Sequence, residues 1–242
     1  MIAVFAAMAV EVRACLAAVT RGREREIGGF SVIDADDVLI CQTGLGRRAR
    51  EAAEAFLGQV SPAVVLSIGT AGGLARDVDV GHIVFCERIG HESEHGFVSG
   101  DAQLIASALD TSAVLGLPAR KGVSVTVDTV AWTPQEKAKL HANGAPDVVE
   151  MESFWIGRAA AERGLPFLAA RAVSDGPGNS LIEIPDLFDD QGNVKPASVL
   201  AFTRDHPEAI PHLAAQHERG GRALDSLSRF VDAFLPGLAR RQ

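Results

Sequence analysis

Unbroken apolar runs alternate with helical patterns along most of this chain. The runs lie at residues 2–7, 38–41, 63–68, 83–86, 123–127 and 167–173. Each is short and bounded by turn chemistry, the signature of a strand buried on both faces. Between them, residues 11–19, 47–57, 102–108, 134–141 and 153–163 carry helical spacing. Interleaved strands and helices of this kind predict an α/β fold with three layers, α/β/α, around a central mixed sheet. The pattern changes after Asp175. Residues 176–196 are rich in Gly, Pro, Asn and Asp, and helices are expected near 197–203, 207–216 and 218–234 as a C-terminal extension. With no repeat, linker or low-complexity tract, the reading is one domain over residues 1–242 with a long functional loop after Asp175.

The second half holds a strand, helix, strand unit. Asp147-Val148-Val149 runs into Glu152 just before the helix at 153–163, and the run at 167–173 ends on Ser174-Asp175-Gly176. Open α/β sheets bind ligands beyond the carboxyl ends of their strands, where Glu152 and Asp175 would both stand. Taken singly, Glu152 also suits the start of a helix, and Asp175 an ordinary turn.

Composition narrows the class. The chain has 242 residues, 47% of them apolar, and a mean hydropathy of +0.14, enough for a sizeable core. No apolar stretch is long enough to span a membrane. The apolar start lacks a basic leader and is interrupted by Glu11 and Arg13, so it reads as a first strand rather than a signal segment. Cys15, Cys41 and Cys86 are odd in number and widely spaced, which fits reduced core thiols and a cytoplasmic setting. A net charge of -8 argues against a nucleic-acid groove, with the cluster Arg47, Arg48, Arg50 as a local exception.

Five segments in order carry a family resemblance. They are Phe5-Ala6-Ala7-Met8-Ala9-Val10-Glu11-Val12, Thr43-Gly44-Leu45-Gly46-Arg47, Ser67-Ile68-Gly69-Thr70-Ala71-Gly72-Gly73-Leu74, Val149-Glu150-Met151-Glu152-Ser153 and Arg171-Ala172-Val173-Ser174-Asp175. Together the set resembles the nucleoside phosphorylase and nucleosidase superfamily. The branch it is most similar to contains the methylthioadenosine/adenosylhomocysteine nucleosidases and the hopanoid-associated phosphorylases.

That resemblance implies cleavage of the N-glycosidic bond of a purine nucleoside, adenine being the expected base, with a small-molecule nucleoside as ligand, no metal or other cofactor, and a homodimer. Such a reaction passes through a sugar cation, so it needs an acid for the leaving base, polar groups at the sugar and a positioned nucleophile. Asp175, with Ser174 beside it, resembles the general acid that protonates N7 of the base. Glu152 and Met151 resemble the pair that holds the ribose. Glu11 resembles the glutamate that orients or deprotonates water, with Gly69, Thr70 and Gly72 lining the nucleophile's side.

Departures from the family bear on the substrate. Val130, followed by Ala131, stands where the nucleosidases place an aromatic that stacks on the base, which leaves a wider apolar slot. The stretch around 187–213 resembles the C-terminal extension of the hopanoid-associated phosphorylases, which implies an enzyme of that kind acting on a nucleoside with a bulky 5′ group, with a methylthioadenosine/adenosylhomocysteine nucleosidase, a hydrolase, as the alternative. Phosphate remains a candidate co-substrate. No arginine precedes the Gly69-Thr70 turn and Glu11 would repel a dianion, so the chemistry leans to water. Arg47 at a helix start could still hold phosphate, or be a solvated surface residue.

His91-Glu92-Ser93-Glu94-His95 matches H-E-x-x-H. Glycines at 90 and 96 and a preceding strand pattern argue against a zinc-binding helix, and leave either a surface loop or a ligand contact. His141, His206, His212 and His217 read as surface residues. Outside this family, a dinucleotide-binding protein fits poorly because position 49 is Ala where a third glycine is needed. A non-catalytic nucleoside-binding protein remains an alternative in which Glu11 and Asp175 are dispensable.

Overall fold

The structure is a computed structural model that describes residues 1–16, 19, 22–35, 37–189 and 191–240. In chain order its elements begin with β1 (Ile2–Ala6), α1 (Ala9–Leu16), β2 (Arg23–Ile27), β3 (Phe30–Ala35), β4 (Val38–Gln42) and α2 (Arg48–Leu57). The middle of the chain forms β5 (Val64–Gly73), β6 (Ile83–His91), β7 (Phe97–Ser99), α3 (Ala102–Val114), β8 (Ala119–Thr126) and α4 (Pro134–Ala142). Then come β9 (Val148–Glu150), α5 (Ser153–Ala161), β10 (Phe167–Asp175), α6 (Pro196–Asp205) and α7 (Ile210–Ala239). The α/β alternation expected from the pattern is present. The helix expected at 11–19 is described as Ala9–Leu16, and Ala17 and Ala18 lie outside the described residues.

All the strands join one mixed sheet in the order β10-β6-β8-β9-β5-β1-β4-β3-β2, with β7 on β6. A second pairing of β10 with β5 closes the first five strands on themselves, so half the sheet curls into a ring and half stays open. Both faces are covered. Along β1, Ala3 and Phe5 point into a core shared with α2 and α5, whereas Ile2, Val4 and Ala6 point into a core shared with α1, α3 and α7. That is the period of two a strand must have, with both phases apolar because both faces are buried.

Three differences from the sequence pattern have physical causes. β2, Arg-Glu-Arg-Glu-Ile, is exposed except for Ile27 and so offered no apolar run, yet it pairs with β3 across Gly28-Gly29. Both glycines have positive φ, +61° and +86°, as a two-residue turn matched to strand twist requires. The expected break between helices at 216–218 is absent. Only a 3-10 turn at Pro207–Ala209 precedes the 30-residue α7, whose core face from Ala223 to Leu238 holds it against the sheet despite Gly220-Gly221. β6 also runs past Cys86 to His91, so the HESEH segment is a strand end followed by a bend rather than a helix.

The three cysteines are buried and unbridged. Burial pushes the Cys41 and Cys86 thiols up to about 12 and raises Cys15 as well, so they behave as small apolar core residues. Among the described residues, no helix is long and apolar enough to cross a membrane.

Candidate active site

β5 is the spine of the site. Its last turn of sequence, Gly69-Thr70-Ala71-Gly72-Gly73, stays in the strand and pairs with β10, Arg171 opposite Gly69 and Asp175 opposite Gly72. Three residues of strand separate the two glycines by roughly 10 Å. A carboxylate sits against each.

Glu11 sits against the first. It lies in the first turn of α1 and is 2% exposed. Its Oε2 accepts the backbone N–H groups of Ala7 and Met8, both at 3.1 Å, which ties the end of β1 to the helix. Its Oε1 accepts the N–H of Thr70 at 2.8 Å and the Thr70 hydroxyl at 3.0 Å. A Cβ at Gly69 would lie 2.9 Å from Oε1, so only glycine lets the carboxylate come this close.

Asp175 sits against the second. It ends β10 after a register irregularity, is 3% exposed, and accepts the Ser174 hydroxyl on Oδ1 at 2.6 Å. Lys137 donates to Oδ2 in a buried ion pair. A Cβ at Gly72 would meet Oδ2 at 3.3 Å and Val149 Cγ1 at 3.1 Å.

Glu152 stands between β9 and α5, 8% exposed, and accepts the Gly46 N–H at 3.0 Å. Burial first, and the neighbouring Glu150 charge second, push its carboxyl up to about 8, so it keeps its proton at neutral pH. Met151 packs with Leu74, Val127, Ala131 and Val149, and an added Cβ on Gly46 would touch its methyl at 3.7 Å. The structure therefore gathers Glu11, Thr70, Gly69, Gly72, Met151, Glu152, Ser174, Asp175 and Ala131 around β5 and its neighbours.

One candidate from the sequence is placed differently. Arg47 is exposed and turned to Asp128, with Nε 3.1 Å from Oδ1, and its guanidinium lies 5.5 Å from the Trp155 ring centroid. Its cation is engaged by a carboxylate, and that guanidinium holds Asp128 below the usual carboxylate range. Val130 is half-buried in the turn after β8. Two residues on, the half-buried Trp132 accepts the Leu181 N–H on its carbonyl at 2.8 Å and so moors the start of the long loop.

Three charged residues received no role from sequence reasoning. Arg171 is 2% exposed and spends four of its five N–H groups: Nε and Nη2 on Glu150, Nη2 again on Ser67 Oγ at 2.8 Å, and Nη1 on the Ala170 carbonyl. Glu150 also accepts the Thr126 hydroxyl and the N–H groups of Glu152 and Ser153, so it caps α5 as well as pairing with Arg171. Arg171 lowers Glu150 and opposes the rise of Glu152. The third is Lys137, 1% exposed on α4. One signal could have found it: Lys137 stands three residues before Leu140, the apolar residue that faces this core.

His91 is buried against Phe154 and Trp155. Its Nδ1 accepts the N–H groups of Ser93 and Glu94, which leaves the ring proton on Nε2, 3.6 Å from Asp128. It belongs to the Arg47–Asp128 cluster rather than to the acids. His206, His212 and His217 are exposed, whereas His141 is half-buried and bonded to the Pro146 carbonyl.

The sheet and the site together define a class, and a family model described as the phosphorylase superfamily matches residues 1–203. The chain belongs to that superfamily. It is similar to the 5′-methylthioadenosine/S-adenosylhomocysteine nucleosidase of Actinobacillus succinogenes, with 29% identity over 195 residues, 72% of this chain and 85% of that protein. Its fold is similar to that of the Neisseria meningitidis nucleosidase of the same name, crystallised with methylthio-immucillin-A, at a TM-score of 0.76 and 18% identity over 98% of both chains. The futalosine hydrolase of Helicobacter pylori is similar too, at a TM-score of 0.73 and 15% identity over 98% of this chain and 97% of that one.

Proposed function

We propose that the chain cleaves the N-glycosidic bond of a purine nucleoside bearing a 5′ substituent, with water as the nucleophile. One observation carries the choice of water. The nucleophile's side, Gly69-Thr70, faces the Glu11 carboxylate, and the nearby guanidinium of Arg171 is consumed by Glu150, Ser67 and a carbonyl. A phosphate dianion would meet buried negative charge with little free cation to offset it. Arg47, the other candidate anion ligand, is turned to Asp128.

In this reading Glu11 binds water by exchange. Its four accepted bonds fill the lone-pair directions of the carboxylate, so a water reaches Oε1 when the Thr70 hydroxyl turns from it, and that hydroxyl then binds the same water. Glu152 and Met151 hold the sugar, the first through its hydroxyls and the second by packing. Asp175 gives a proton to N7 as the base leaves with the bonding electrons, and water adds to C1′ and gives its proton to Glu11. The chemistry runs on side chains and water alone. The similar nucleosidases support adenine as the base.

A finer reading concerns the 5′ group, where the proposal is a large apolar substituent of the kind the hopanoid-associated branch would take. It is favoured by the loop after Asp175. At Gly192 this loop comes so close to the Ala7 carbonyl that an added Cβ would stand 3.0 Å from it, next to the turn that anchors Glu11. Leu181, Ile182, Leu187 and Phe188 on the same loop are half-buried.

Release of free base from 5′-substituted purine nucleosides tests the assignment. The parent protein should release base, and Asp175→Asn should keep ligand binding but lose about 10²- to 10⁴-fold in turnover. Parent-like turnover by this variant removes Asp175 from the mechanism, and binding without any base release by the parent returns the chain to a nucleoside-binding protein.

A further inference from the structure

Lys137 is buried at the site in contact with the proposed general acid, yet it has no part in the reaction above. Its burial is prepared by sequence: Thr133 and Glu136 cap α4 reciprocally, with Thr133 Oγ1 accepting the Glu136 N–H at 3.2 Å and Glu136 accepting the Thr133 N–H at 2.9 Å. That box fixes the first turn of the helix and aims the next residue, Lys137, at the end of β10. Placing an ammonium group where it is 1% exposed costs heavily unless it is fully paired. It is fully paired. Nζ donates to Asp175 Oδ2, to the Gly176 carbonyl at 3.0 Å and to the Asn179 carbonyl at 3.1 Å.

Three oxygens around one amine limit where its protons lie. An ammonium has three donors for the three partners, whereas a neutral amine would fill the two carbonyls and take its third bond from a protonated Asp175, so in either form the pair holds one proton between nitrogen and carboxyl oxygen. The cradle is also preformed, because Gly176 and Asn179 close a turn on each other, with Asn179 Oδ1 accepting the Gly176 N–H at 2.9 Å. Asp175, for its part, holds Ser174 on one oxygen and Lys137 on the other. In this arrangement the proton required by the leaving base is held between Lys137 and Asp175.

We propose that Lys137 is the proton source behind Asp175, a positioning residue that never touches the base. This rests on the nucleoside-cleaving reading above. As the C1′–N9 bond breaks and its electron pair moves onto the base, one proton passes from Nζ to Asp175 Oδ2 and on to N7. The N–H bond at Lys137 breaks, the N–H bond at N7 forms, and Asp175 ends as it began. Lys137 is left as a neutral amine and regains a proton from solvent after the base departs, while the proton of the attacking water leaves through Glu11. The pair thus stores an acid that neither member supplies alone at a buried site.

The test compares two leaving groups in the parent, Lys137→Met, Lys137→Arg and the double variant Lys137→Met with Asp175→Asn. One substrate is the purine nucleoside that the parent turns over fastest. The other is 4-nitrophenyl β-D-ribofuranoside, whose phenolate leaves without a proton. Lys137→Met should lose about 10²-fold or more in kcat/KM on the nucleoside and stay within a few-fold of the parent on the aryl riboside. Lys137→Arg should remain slow on the nucleoside, because guanidinium restores the charge but does not surrender a proton. The double variant should be no slower than Asp175→Asn, since the two residues act in series, and with no orphan carboxylate it also guards against a folding defect. Equal losses on both substrates, or recovery of the parent rate by Lys137→Arg, would show that Lys137 only supports the structure. If the parent releases no base from any purine nucleoside, the functional reading fails and this proposal falls with it; a parent that is active beside an equally active Lys137→Met overturns the proposal alone.

Discussion

Glu152 shows how single residues here depend on one buried cation. Burial first, and the Glu150 charge second, hold the proton on Glu152, and Arg171, which also pairs with Glu150, only partly opposes them. The sign of the consequence is fixed. Glu152 binds its proton more tightly folded than unfolded, so its contribution to stability is fully present below the ordinary value of 4.5 and is lost as pH rises to about 8. The slope while it titrates is at most about 1.4 kcal/mol per pH unit. Glu152→Gln, which stays neutral at every pH, should flatten the fall in unfolding free energy between pH 5 and pH 8 by denaturant titration. An unchanged fall would place the proton on another group. Residue by residue, the visible acids were those of sequence positions with a reason to be acidic: Glu152 and Asp175 close apolar runs, and Glu11 follows one. Lys137 was hidden because α4, Pro-Gln-Glu-Lys-Ala-Lys-Leu-His-Ala, is polar nearly all round, and a buried lysine on it looks like an exposed one. Arg171 and Glu150 were hidden for a related reason: their pairing needs β9 and β10 brought together through β5, a contact across 21 residues that no local pattern encodes.

At the scale of elements, strands buried on both faces were legible and their ends were not. β5 was expected to end at Ile68, where the apolar run ends, yet it continues through Gly73 because the glycines let Glu11 and Asp175 approach the strand from either end of this stretch. The same close approach occurs at α5, which seats on β10 and β7 through Gly157. A Cβ there would lie 2.6 Å from Phe167 Cε1 and 2.7 Å from Val98 Cγ1. Two effects compete in Gly157→Ala. Helix propensity favours alanine by about 1 kcal/mol, whereas overpacking of a filled core costs about 1–3 kcal/mol. Phe167 and Val98 are both buried in the larger cluster and have little room to withdraw, so overpacking should win. We expect a net loss of roughly 1–2 kcal/mol by denaturant unfolding, and a stabilised variant would show that α5 is less tightly seated than the distances indicate.

For the whole molecule, the three-layer class followed from alternation alone, because two apolar phases on one strand demand a helix layer on each face. Closure of half the sheet did not follow, since it depends on β5 and β10 pairing after most of the chain has intervened. Closure and the long loop together leave the proposed site bordered by β5, α4 and the loop residues 176–189 and 191–195. If that loop receives the 5′ group, apolar extension of the substituent should raise kcat/KM by about 0.8 kcal/mol per buried methylene, several-fold for each carbon. A series of 5′-alkylthio adenosines from methyl to octyl would show this as a rising line. A maximum at methyl would assign the chain to the small-substituent reading.

The central claim, that water rather than phosphate attacks the sugar, is read most directly from the sugar product. Parent protein incubated with its best purine nucleoside, with and without inorganic phosphate, should yield the free sugar in both cases at the same rate. A phosphate-dependent rate with sugar 1-phosphate as the product would contradict it, and would mean that the guanidinium of Arg171 or Arg47 leaves its carboxylate to receive the anion.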